Sequence, residues 1–328
     1  MILTLQNIKD IARGCARVEQ HNNTFVLMRF TESQAQAYLD IGNREFYDKT
    51  FATAGVRLAF KTNSRKFFFD YHFTASSSRK FGHFDVYIDG RMKYHFGSEG
   101  PENMSGHAKI SLPDGDKTVE IYFPWSYQTD ISEVTIDDGA YISGVYRTNT
   151  MICFGDSITH CYDAIHPSLS YTALLGSLLD ADEINKGIGG DIFFPALLDK
   201  PECDPDFITV AYGSNDWCKS TPEEFEANCR GFLSRLEKLY PDSNIFIIAP
   251  IWHCKFDTAS KLGMTGSEQN AWMREICRDY PTLHYIDGSL LTPNRQEFFT
   301  DTAGHPTETC FAVYAAKLYA EIQKALNK

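Results

Sequence analysis

Three polar residues stand where apolar stretches end, and their types could do chemistry together: Ser157, Asn215 and His305. Ser157 lies in Gly155-Asp156-Ser157-Ile158-Thr159, directly after the run MICF. A glycine there lets the chain turn sharply and leaves the serine hydroxyl at a strand end, where it could act as a nucleophile; Ser157 or Asp156 could equally just cap a helix. Asn215 lies in Gly213-Ser214-Asn215-Asp216 after FITVAY, and a third loop reads Asn185-Lys186-Gly187-Ile188-Gly189-Gly190-Asp191. Glycines free a backbone N–H to face a ligand oxygen, and with a side-chain amide they form the donor set an oxyanion requires. The glycine spacing is not G-x-G-x-x-G and no acidic residue is placed for a ribose, which argues against a dinucleotide site. His305, in Asp301-Thr302-Ala303-Gly304-His305-Pro306-Thr307, stands just before a helix and supplies a base.

Such residues need a scaffold, and in open α/β sheets ligands collect beyond the carboxyl ends of the strands. After Arg147-Thr148-Asn149 the sequence has the matching rhythm: MICFG, a helical stretch over 168–179, FITVAYG, a helix over 222–239, NIFIIAPIW, a helix near 267–279, LHYID, and a closing helix over 307–325. Strands that are apolar throughout, separated by helices, predict a parallel sheet covered on both faces. Residues 149–328 are therefore expected to form a doubly wound α/β domain. Between residues 24 and 144 the pattern is instead short and alternating: TFVLMRF, VRLAF, KFFFDYHF, FDVYIDG, HAKISL, KTVEIYFP and SEVTID. Period two with turn signals such as Asp89-Gly90 means antiparallel strands. Residues 1–148 are expected to be an accessory all-β sandwich, jelly-roll-like in topology.

Composition excludes several partners. A net charge of −12 without a basic run makes nucleic acid or an anionic membrane surface a poor partner. No apolar run approaches the ~20 residues that span a bilayer. Lys9 and Asp10 fall where a signal peptide needs its apolar stretch, so a cytoplasmic location is expected. The nine cysteines are odd in number, lack a CxxC pair and read as reduced thiols. His160-Cys161 and His253-Cys254 have no ladder of further ligands at zinc spacing, so neither a metal nor another cofactor is expected.

Taken in order, GDSIT, NKGIGGD, YGSND and GHPTE resemble the four sequence blocks of the SGNH hydrolases, also called the GDSL esterases and lipases. The resemblance covers the second half of the chain and implies a flavodoxin-like α/β fold. It also implies Ser157 as nucleophile, His305 as base, and Ser157, Gly190 and Asn215 as the oxyanion donors. One feature departs from the family: its acid stands three residues before the histidine, where this chain has Thr302, and Asp301 stands four before. Either the loop bulges so that Asp301 reaches the ring, or main-chain carbonyls orient His305 and the site is a Ser-His dyad.

A sandwich followed by such a hydrolase is similar to carbohydrate esterases that remove acetyl groups from polysaccharides or oligosaccharides. The expected activity is a serine esterase acting on short-chain esters, acetyl first, carried by a small molecule or an oligosaccharide. The alternatives are an acyltransferase using the same site and a catalytically inactive glycan-binding protein. Trp252 in APIWH and Trp217 after GSND are placed to border the pocket, where flat rings can stack on sugars. Asp163 and His166 read as solvated loop residues. Neither the sugar, the ester position nor the oligomeric state is written in the sequence.

Overall fold

The computed structural model describes residues 1–200 and 203–327. Its first part contains strands β1 (Ala12–Arg13), β2 (Arg17–His21), β3 (Thr24–Met28), β4 (Arg57–Thr62), β5 (Lys66–Ala75), β6 (Phe81–Ile88), β7 (Arg91–Glu99), β8 (Ser105–Ser111), β9 (Lys117–Tyr122), β10 (Tyr127–Ile136) and β11 (Ile142–Gly144). They pair into two antiparallel sheets, β1-β4-β9-β6-β7 with β11 beside β4, and β2-β3-β10-β5-β8. The inward positions of the alternating runs, among them Phe60, Phe67, Phe69, Phe84, Val119 and Ile131, are fully buried and close a single core. This is the sandwich that the period-two pattern predicts. Strand β7 was not expected, because its residues are exposed along most of its length and show no apolar face. Three helices also interrupt this part: α1 (Leu5–Ile11), α2 (Glu32–Asp40) and α3 (Arg44–Lys49). Helix α2 starts at a capping box between Thr31 and Gln34, a signal present in the sequence but without a strong apolar stripe after it.

The second part contains β12 (Asn149–Gly155), β13 (Ala181–Gly187), β14 (Phe207–Ala211), β15 (Asn244–Ile248) and β16 (Leu283–Ile286), with helices α4 (Tyr171–Leu178), α5 (Ser214–Lys219), α6 (Pro222–Leu239), α7 (Gly266–Cys277) and α8 (Glu308–Leu326). The strands form one parallel sheet in the order β13-β12-β14-β15-β16. Successive residues of β12 enter opposite cores. Ile152 and Phe154 pack with Phe225 and Phe232 of α6 and Met273 of α7, while Met151 and Cys153 pack with Leu175 of α4 and Phe311 of α8. Burial on both faces is why these strands read as unbroken apolar runs. Helix α6 keeps its expected bounds because Thr221 caps it, Pro222 opens it and Glu224 closes the capping box.

Strand β13 was not expected. Its sequence ADEINKG is polar, and part of it, Asn185 to Gly187, reads as loop, yet Glu183, Asn185 and Lys186 are buried there. Because β12 lies between β13 and β14, the strand order reverses at β12, and a crevice opens beyond the carboxyl ends of β12 and β14.

A dense seam joins the two parts. Arg29, fully buried just after β3, donates from Nη1 to the carbonyls of Asn185 (2.9 Å) and Gly187 (2.8 Å), and from Nη2 to the carbonyl of Lys49 (2.9 Å). Phe30 and Tyr38 belong to the same core as β12 and α6. The Trp125 indole N–H donates to the carbonyl of Ala164, 2.8 Å away in the loop that follows β12.

Candidate active site

The turn after β12 sets the first side chain. A Cβ on Gly155 would lie 2.1 Å from Thr159 Oγ1, so only glycine lets the chain fold back this tightly. Ser157 is thereby left at the crevice, with its Oγ 2.8 Å from His305 Nε2. His305 sits on a loop that closes on itself: the Thr300 N–H donates to the carbonyl of His305, and the Thr307 N–H donates to that of Phe298. Thr307 then caps α8.

Inside this loop Asp301 Oδ2 lies 2.6 Å from His305 Nδ1, while its Oδ1 accepts from the backbone N–H groups of Ala303 (2.9 Å), Gly304 (3.0 Å) and His305 (3.2 Å). The chain curls around the carboxylate, and Gly304, at φ +98°, supplies the left-handed turn this needs. The extra residue relative to the family spacing is absorbed here. Of the two arrangements left open by the sequence, the geometry is the one in which Asp301 reaches the ring. Burial works against the Asp301 carboxylate, but the hydrogen bond and charge of His305 and the backbone donors outweigh it and hold its pKa below the ordinary value.

Asp163 is not the solvated loop residue expected from sequence. Its side chain is 13% exposed and its Oδ2 lies 3.9 Å from His305 Nδ1. Arg79, from the loop between β5 and β6, donates from Nε to Asp163 Oδ1 at 2.7 Å, and Thr300 Oγ1 donates to Oδ2 at 2.7 Å. These partners hold Asp163 in a left-handed conformation, φ +68°, which aspartate adopts more readily than most residues. The Arg79 guanidinium also lies over the Tyr162 ring, and Tyr162 stacks on His305 with centroids 5.5 Å apart. Asp163, Asp301 and His305 could geometrically hold a metal ion. The guanidinium of Arg79, 2.7 Å from one of these carboxylates and 3.8 Å from the other, already occupies the place of a cation.

Asn215 lies in the first turn of α5, with Nδ2 3.4 Å from Asp156 Oδ2. Asp156 is buried, its pKa pushed up to about 6 by desolvation. Gly190 has φ +93° and lies on the neighbouring loop, outside the lining of the cleft described below. Its surroundings are ordered from both sides. The Lys49 ammonium donates to the carbonyl of Gly189 at 2.7 Å, and the Lys219 ammonium donates to the carbonyl of Gly190. In a trans peptide C=O and N–H point opposite ways, so Lys49 fixes the direction of the Gly190 N–H. Next to it Asp191 accepts from Tyr38 OH at 2.7 Å.

A cleft of about 270 Å³ opens over Ser157 and His305, lined also by Asn215, Trp217, His253 and Thr302. Trp217 is thus where the sequence places it, its indole N–H held by the carbonyl of Met264 at 2.8 Å. Trp252 is not. Its ring packs on Phe299 at 5.5 Å and it does not line the cleft, because this strand-end aromatic faces the core beneath the histidine loop. His166 is half-buried against Glu308 rather than solvated. Arg79, Lys49 and Tyr162 had no signal in the sequence as site residues.

Residues 153–311 match the family model of the GDSL-like lipase/acylhydrolase family. No match to the sequence is found among curated proteins. Among solved structures, the salicylyl-acyltransferase SsfX3 from a tetracycline biosynthetic pathway superposes with a TM-score of 0.82 at 20% identity, covering 96% of this chain and 94% of that one. An acetyl xylan esterase from the rumen bacterium Butyrivibrio proteoclasticus gives 0.65 at 14% identity, covering 100% and 98%. A family two carbohydrate esterase from Clostridium thermocellum, solved with cellohexaose, gives 0.65 at 16% identity, covering 84% and 94%. The sandwich and the α/β sheet thus occur together in other solved proteins.

Proposed function

We propose that the protein, whose residues 153–311 match the GDSL-like lipase/acylhydrolase family model, is a serine esterase that removes short acyl groups, acetyl first, from carbohydrate esters. The observation that carries this reading is the unbroken line Asp301–His305–Ser157, joined by hydrogen bonds of 2.6 and 2.8 Å. In it, His305 Nε2 takes the Ser157 proton as Oγ attacks the ester carbonyl. Asp301 fixes the tautomer that leaves Nε2 free to accept, and balances the imidazolium that forms. The oxyanion rests on the Ser157 and Gly190 N–H groups and the Asn215 amide. His305 then protonates the departing sugar oxygen, and water repeats the sequence on the acyl-enzyme.

A cleft of about 270 Å³ suits a short acyl chain, and Trp217 at its wall offers a flat ring to a sugar face. The carbohydrate esterases among the structural relatives support that substrate class. Transfer of the acyl group to an acceptor hydroxyl shares every step as far as the acyl-enzyme, and the likeness to an acyltransferase over 96% of the chain makes it the second reading. Hydrolysis of acetyl, butyryl and octanoyl nitrophenyl esters, followed by a panel of acetylated oligosaccharides, tests the proposal. Acetate release that falls steeply with acyl length is expected, and preference for octanoyl esters contradicts it. Product partition between water and an added sugar acceptor separates hydrolysis from transfer.

A further inference from the structure

A second group of titratable side chains lies where the sandwich meets the start of α8. His83 and Asp85 belong to β6, His95 to β7, His166 to the loop before α4, and Glu308 to the first turn of α8. The rings of His83 and His95 lie 4.9 Å apart, and those of His95 and His166 4.1 Å apart. His95 Nδ1 is 2.7 Å from Asp85 Oδ1, and His166 Nδ1 is 3.0 Å from Glu308 Oε1. One ligand atom each from Asp85, His95 and His166 lie within 4.8 Å of one another. None of these residues is used by the Ser157 chemistry.

Three features of this cluster ask for a cation. Asp85 is completely buried; its Oδ2 accepts from the Ser168 N–H and hydroxyl, and its only ion-pair partner among the described residues, on Oδ1, is an imidazole, as is that of Glu308. Among the described residues no lysine or arginine pairs with either carboxylate, so the group gathers negative charge without a permanent counter-charge, which burial disfavours. His83 is 9% exposed, and neither of its ring nitrogens has a hydrogen-bond partner. An imidazole buried with both nitrogens idle beside two others is a polar group without a protein partner. Finally, imidazole nitrogens with carboxylate oxygens are the donors that suit zinc and its neighbours, and histidine–carboxylate pairs are the arrangement that orients such ligands.

We propose that Asp85, His95 and His166 form a binding site for a divalent transition metal, zinc fitting the donor set best, with Glu308 orienting His166 and the His83 ring stacked on that of His95. These donor atoms lie within 4.8 Å of one another, so the rings need only turn inward to hold a tetrahedral zinc at about 2.0–2.1 Å. His95 and His166 are each 28% exposed and have room to do so. Coordination replaces protons now shared between imidazole and carboxylate, which are released to solvent. The metal ties β6 and β7 of the sandwich to the loop before α4 and to α8, a crosslink between the two parts of the chain. It takes no part in ester chemistry.

The test uses the full-length protein, stripped with a chelator and dialysed, then titrated with zinc chloride by calorimetry and followed by thermal unfolding. One equivalent is expected to bind, raising Tm by about 3 °C or more at saturation. His166→Ala, at a partly exposed position, is expected to weaken binding at least tenfold and to abolish the Tm rise; His95→Ala should do the same. His305→Ala is expected to bind zinc as the wild type does, which keeps this result separate from the fate of the esterase reading. Should His95→Ala fail to fold, His166→Gln carries the comparison. Absence of saturable binding of zinc, cobalt or nickel overturns the proposal, as does binding that survives His166→Ala and disappears in His305→Ala.

Discussion

Arg79 of the sandwich donates to Asp163 of the α/β part at 2.7 Å, with its guanidinium 3.8 Å from Asp301. One cation from the first part of the chain thus steadies two carboxylates on either side of His305. Arg79→Met is expected to lower kcat by about 10- to 100-fold, equal to roughly 1.4–2.7 kcal/mol of barrier, with KM little changed, because the residue positions the His305 surroundings and is not expected to touch the ester. Arg79→Lys should recover part of the loss. Steady-state kinetics of the three proteins decide this, and an unchanged kcat in Arg79→Met removes Arg79 from the site.

The Asp301 geometry makes a sharper demand. Asp301→Asn offers an amide to Nδ1 and favours the wrong tautomer, which in serine-protease triads costs roughly 10⁴-fold in kcat. A loss of about 10²- to 10⁴-fold is expected here, while Thr302→Ala, at the family's usual acid position, stays within about threefold. Circular dichroism confirms folding of both. A loss below about tenfold transfers the orienting role to Asp163, 3.9 Å from the same nitrogen, and Asp163→Asn would then show the large effect.

Lys49 tests the oxyanion assignment from the far side of the peptide. Its bond to the Gly189 carbonyl fixes the Gly190 N–H, and loss of one oxyanion donor costs about 10²- to 10³-fold elsewhere. Lys49→Met is expected to reduce kcat at least about tenfold, with KM held. An equal change in KM instead, or no change, would mean that the Gly190 N–H does not face the reacting oxygen.

Stability should depend on pH through Asp191. Burial raises its folded pKa to about 7, against an ordinary carboxyl near 3.8. The folded state therefore prefers the protonated form: the contribution is fully present below about pH 3.8 and is lost as pH rises through about 7. Asp191→Asn keeps an acceptor for Tyr38 OH and removes the titration. Its Tm is expected to fall less than that of the wild type between pH 5 and 8, and parallel curves for the two proteins contradict this.

Much of this arrangement was legible in the sequence because it rests on local patterns. Thr221-Pro222 with Glu224 marks the start of α6, and the apolar runs at Met151 and Phe207 mark strands buried on both faces. Ser157 and Asn215 announce themselves by standing at the ends of such runs, and His305 by standing just before the closing helix. Strand β13 does not, because its inward Glu183 and Asn185 are polar, and Asn185 is satisfied only by another element, donating to the carbonyl of Thr159 at 2.7 Å. Lys49 and Arg79 were invisible for a related reason. Each is an ordinary surface-type residue in the sequence, and only the seam between the two parts carries it to a loop more than 80 positions away. Trp252 misled in the opposite sense, since an aromatic at a strand end can face a cleft or the core, and here Phe299 takes it.

The central claim is that Ser157 forms the acyl-enzyme with His305 as its base. The most direct measurement is intact-mass and peptide mapping after reaction with a fluorophosphonate, paired with acetyl-ester turnover by Ser157→Ala. A single adduct on Ser157 is expected, with no adduct in Ser157→Ala and turnover reduced by about 10³-fold or more with the fold retained. An adduct on another serine, or acetyl-ester hydrolysis by Ser157→Ala near the wild-type rate, would contradict it.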